Sequence, residues 1–105
     1  MQDKIGDEIR RKHILFAIQE IESYISGVDK ESFVNNSMML NATLRQLEII
    51  GEASNKLSNE FFENHPNVPW SKIISLRNFI IHEYFGVDDY AIWNIITINI
   101  PLLKI

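Results

Sequence analysis

The chain has no cysteine. Disulfides, thiolate catalysis and zinc held by sulfur are therefore excluded. Glycine and proline are scarce, at four and three residues in 105, so few positions can break a helix. No apolar run is long enough to span a bilayer. The charged amino terminus lacks the apolar stretch of a secretion signal. The expectation is a cytoplasmic protein without a membrane partner. A basic excess is also missing, because the formal charge is −4. Non-specific coating of nucleic acid rests on clustered Lys and Arg. DNA is therefore not an expected partner, while a local RNA site stays open. The length predicts one domain, residues 1–105, with one core.

What is present reads as helix almost throughout. From Asp3 to Ser26, Ile14, Ile18, Ile21 and Ile25 recur at steps of four, three and four. Gly27 is a plausible stop in the left-handed conformation. Asp29 caps a short helix, Lys30 to Val34, anchored by Phe33. After a polar break at Asn35, Asn36 and Ser37, a second long helix runs from about Met38 to Leu57 on Leu40, Leu44, Leu47 and Ile50. Gly51 in its interior costs about 1 kcal/mol relative to alanine, which points to close approach of another backbone. Glu52 beside it reads as an exposed acid. Ser58 caps a continuation through Phe61 and Phe62, and His65-Pro66 ends it. A central helix starts at Asn67 or Val68, with Pro69 in its first turn, and stops at Gly86 after Phe85. Asp88 caps the last helix, which Pro101 closes. Its β-branched residues also fit a strand, but the cap and the short chain favour helix. The predicted fold is all-α, an up-and-down bundle of about five helices. Trp70, Phe79, Phe85 and Trp93 exceed what one small core hides easily, and a homodimer would cover them.

Arg77-Asn78-Phe79-Ile80-Ile81-His82-Glu83-Tyr84 stands out. It sets an arginine, an amide, an imidazole and a phenol in an apolar segment. At about 100° per residue, Arg77 and Tyr84 stack on one face, and Asn78 and His82 share the next stripe. The other polar cluster, Arg10-Arg11-Lys12-His13, reads more simply as a solvated helix face than as a phosphate-guiding patch; Asp7 and Glu8 before it suit the helix dipole.

Three blocks carry a resemblance to a known family: Leu47-Glu48-Ile49-Ile50-Gly51-Glu52-Ala53, His65-Pro66-Asn67-Val68-Pro69-Trp70, and Arg77-x4-His82-x-Tyr84 followed by Phe85-Gly86-Val87. Together they resemble the HEPN superfamily, and within it the HepT-like toxin subunits. The resemblance implies a helical homodimer whose paired motifs converge on one cleft and cut RNA without a metal or other cofactor. It implies the toxin of a type VII-like toxin–antitoxin pair. It also implies a partner, a minimal nucleotidyltransferase antitoxin, that transfers AMP to Tyr84.

The residue types suit that chemistry. Metal-free cleavage uses the 2′-hydroxyl of RNA as nucleophile and leaves a 2′,3′-cyclic phosphate. Imidazole exchanges protons near neutral pH, so His82 can act as base or acid. Arg77 can hold a phosphate through its fork of donors, and Asn78 can orient His82 or a phosphate oxygen. AMP on Tyr84 would bring negative charge and bulk beside Arg77. The alternative is a non-catalytic helical dimer that binds nucleotide and its nucleotidyltransferase partner.

Overall fold

A computed structural model describes residues 4–83 and 88–105. The elements are α1 (Lys4–Ile25), α2 (Lys30–Val34), α3 (Ser37–Asn55), α4 (Asn59–Asn64), α5 (Trp70–Asn78) and α6 (Asp89–Asn94). Among the described residues there is no strand, so the expected all-α class holds. Asp3, Tyr84, Phe85, Gly86 and Val87 lie outside the described residues. With them lie the expected stop at Gly86 and the expected acceptor at Tyr84.

Local chemistry sets most of the boundaries. Gly27 follows α1 with φ +73°, a conformation that a side chain would oppose. Asp29 caps α2, its carboxylate accepting from Ser32 N at 2.8 Å. Asn36, within the polar break, caps α3 by accepting from Met39 N at 3.0 Å. Ser58 caps α4 through Phe61 N at 3.1 Å, and Asp88 caps α6 through Ala91 N at 3.2 Å. Each bond gives an acceptor to an N–H that helix geometry leaves unpaired.

Helix α3 is the centre of the packing, with α1 against one side and α5 against another. Ile14, Ile18 and Ile21 of α1 meet a core that includes Leu47 and Ile50 of α3, Ile73 and Leu76 of α5, and Ile92 beyond. Phe33 is fully buried and stacks at a tilt on Trp93, with ring centroids 5.2 Å apart. Asp7 ties α1 to the start of α4: its carboxylate accepts from Ser58 N at 2.9 Å and from the Ser58 hydroxyl at 2.5 Å. Trp70 packs on Phe61 and Phe62, at 5.9 and 5.1 Å between centroids, and donates its indole N–H to His65 O at 2.9 Å. The two indoles are thus housed within one copy of the chain and are no argument for a second subunit. The strongly exposed apolar side chains are others, among them Ile5, Phe16, Met38 and Ile98.

Two expectations of uniform α-helix are corrected. After Asn78 the central helix widens into a π-helix, Phe79–Glu83. The last helix does the same at Ile95–Asn99 and then tightens to a 3₁₀ turn, Ile100–Leu103. Pro101 lies inside that final turn rather than closing the helix before it. Bonding from i to i+5 puts more residues in each turn. The 100° rule therefore orders side chains only as far as Asn78, and the expected alignment of Asn78 under His82 does not follow from it.

Candidate functional site

The site is built on the contact between α3 and α5. A Cβ at Gly51 would lie 3.0 Å from Arg77 N, 3.3 Å from Ile73 O and 3.5 Å from Arg77 Cβ. The interior glycine is there because the α5 backbone rests on it, as its place in a helix interior suggested. Arg77 is thereby held at its main chain while its guanidinium reaches the surface. Arg77 Nε donates to a Glu52 oxygen at 3.0 Å. The other Glu52 oxygen lies 3.7 Å from Lys56 Nζ. Glu52 is exposed, as expected, but it is Arg77's ionic partner, which the sequence reading missed.

Arg77 and Glu52 side chains are 46% and 47% exposed. An ion pair so open to water contributes at most about 1 kcal/mol. The carboxylate orients the guanidinium without locking it, and a phosphate can displace it. Arg77 Nη1 also lies 3.5 Å from Asn78 Oδ1, at the outer limit of a hydrogen bond.

Arg77 and Asn78 share a cleft of about 340 Å³, walled by Gly51, Glu52, Asn55 and Ile74. Arg77 also lines a larger groove of about 490 Å³ between α1, α3 and α5. Arg10, Arg45 and Lys56 supply its other permanent cations, and Glu48 joins Glu52 as its acids. His82 is exposed and lies in the π-helical turn. It is not among the residues lining either cleft. The structure therefore brings Arg77 and Asn78 together in one cleft, with His82 exposed in the turn that follows them.

The basic cluster of α1 divides. Arg11 pairs with Glu8 and donates to Ile105 O at 3.1 Å. The bond from Arg11 lowers the pKa of the Glu8 carboxyl from its ordinary value, with desolvation opposing it. Lys12 is exposed. Arg10 and His13 turn into the groove. One clue to this was available, since Arg10 and His13 lie four residues before the buried Ile14 and Ala17 on α1. Arg45, Glu48, Glu52 and Lys56 were equally readable as one stripe of α3, at steps of three and four. Among the described residues, no three His, Asp or Glu side chains converge as a metal site would require. None of the described helices is long and apolar enough to cross a membrane.

Comparison with known proteins gives a consistent family. The model for "Ribonuclease HepT-like" proteins matches residues 14–105. A candidate RNase of Methanocaldococcus jannaschii is 42% identical over 91 residues, covering 87% of this chain and 84% of that protein. A candidate RNase of Caldanaerobacter subterraneus subsp. tengcongensis is 42% identical over 93 residues, covering 89% and 83%. A protein of Thermococcus cleftensis, named as a candidate ribonuclease HepT, is 40% identical over 88 residues, covering 84% and 80%. No solved structure matches.

Proposed function

The chain belongs to the HepT-like ribonuclease family, and on that premise we propose that residues 1–105 form a single HEPN-type domain that cuts RNA without a metal. It acts in the cytoplasm as the toxin of a type VII-like toxin–antitoxin pair. Arg77 grips the scissile phosphate and offsets charge on its oxygens. His82 takes the proton of the 2′-hydroxyl or gives one to the leaving 5′-oxygen. Asn78 orients the phosphate beside Arg77. The 2′-oxygen bonds to phosphorus as the 5′-oxygen leaves, and the product carries a 2′,3′-cyclic phosphate. A minimal nucleotidyltransferase silences the toxin by moving AMP onto Tyr84.

The observation that carries this reading is Arg77 itself. Its backbone is seated on Gly51 and its guanidinium is aimed at the surface, held only by an exposed carboxylate. Such an arginine is positioned yet able to exchange its partner for a phosphate. One His82 cannot be both base and acid in a single step, so two copies divide the roles across a homodimer cleft. Ile81, beside His82 and 45% exposed, supports a covered face at this place.

The test is cleavage of single-stranded RNA by the purified chain with and without a chelator. Cleavage that resists the chelator, ends in a cyclic phosphate and disappears in His82→Ala and Arg77→Lys is expected. An ammonium cannot reproduce the guanidinium fork. Nucleotide binding with no cleavage would instead favour a non-catalytic partner-binding dimer.

A further inference from the structure

The groove between α1, α3 and α5 holds more positive charge than gripping one scissile phosphate requires. Arg10, Arg45, Lys56 and Arg77 line it, against only Glu48 and Glu52. The whole chain carries −4, so this excess is local. Arg45 and Lys56, the residue that caps the end of α3, are eleven residues apart, or about 16 Å along the helix axis. A single strand with a charge every roughly 3.4 Å of stacked length sets several phosphates over that span. Arg10 is a second sign of an anion site. It stands on α1, across the groove from the cations of α3, so positive charge faces the groove from two helices. The groove's apolar lining is Ile49 and Ala53, with no Phe, Tyr or Trp among its described residues. Its charged walls therefore suit a backbone better than a run of stacked bases.

We propose that this groove is the track along which the RNA backbone lies as it reaches Arg77, held by Arg10, Arg45 and Lys56 without regard to sequence. The inference rests on the ribonuclease reading above and extends it to the substrate beyond the scissile phosphate. Glu48 and Glu52 stand between the cations and offset their mutual repulsion, Arg45 lying 3.5 Å from Glu48, and they yield them to phosphate.

The experiment measures binding of a labelled 12-nucleotide single-stranded RNA to the full chain carrying His82→Ala, across a range of salt. Arg45 is 69% exposed, so Arg45→Ala leaves the fold intact. It should weaken binding roughly two- to five-fold and lower the slope of log affinity on log salt by about 0.7 for each phosphate no longer neutralised. Lys56→Ala should do the same. Glu48→Gln, which frees Arg45, should tighten binding. Lys12→Ala removes an equal charge from α1 outside the groove and should change neither affinity nor slope. The proposal is overturned if Arg45→Ala and Lys56→Ala bind like the parent, or if Lys12→Ala weakens binding as much as they do. Cleavage by the chain with His82 intact is scored separately. Groove-dependent binding with no cleavage sinks the ribonuclease reading alone, and cleavage with groove-independent binding sinks the track alone.

Discussion

Gly51→Ala tests whether the contact that seats Arg77 is as tight as its geometry indicates. Two effects of opposite sign compete. Alanine favours a helix interior over glycine by about 1 kcal/mol. The new methyl would lie 3.0 Å from Arg77 N and 3.3 Å from Ile73 O, both closer than ordinary van der Waals contact. Both atoms are backbone, so no side chain can swing aside and α5 must back away from α3. Overpacking of this kind costs about 1–3 kcal/mol. The balance is a net loss of roughly 1 kcal/mol, which lowers Tm by about 5 °C in a domain of this size. Because the displaced atoms belong to Arg77, RNA cleavage should fall by more than the lost stability explains at a temperature where the variant is fully folded. Thermal unfolding followed by circular dichroism, with cleavage measured at about 25 °C, reads both quantities. Gly51→Val adds bulk at the same point and should lose more on each. A Tm that rises by the few degrees expected from helix propensity alone would refute the reasoning, since the helices would then have room at Gly51.

Three further outcomes are expected. Incubation with ATP, magnesium and the cognate nucleotidyltransferase should add AMP to Tyr84, detected by intact mass, while Tyr84→Phe stays unmodified and toxic; Tyr90, whose hydroxyl donates to Glu31 at 3.0 Å, should not substitute. Light scattering at micromolar concentration should give twice the 12.3 kDa of one chain, and a monomer that still cuts RNA would end the shared-cleft account. Thr43 is fully buried and its hydroxyl has no hydrogen-bond partner among the described residues; Thr43→Val should therefore gain about 1–2 kcal/mol and raise Tm, and a fall would mean that the hydroxyl is satisfied in solution.

The sequence by itself determined the all-α class, the caps at Asp29, Ser58 and Asp88, and the left-handed glycine after α1. These are interactions between residues within about one turn of each other, so the order of residue types is enough to specify them. It also pointed to a backbone resting on Gly51, because an interior glycine has few other uses. Only the tertiary structure decided which backbone, and hence that Arg77 is the residue seated there. The same holds for Glu52: its pairing with Arg77 joins residues 25 positions apart in the chain, and no local pattern encodes it. The widening of the central helix beyond Asn78 was hidden because apolar spacing over so few residues suits either an α or a π turn. The basic cluster of α1 looked uniform for a related reason. Three adjacent cations point in three directions on a helix; the pairing of Arg11 with Glu8 is local, but only tertiary packing sent Arg10 into a groove and brought the chain's end to Arg11, while Lys12 stayed in solvent.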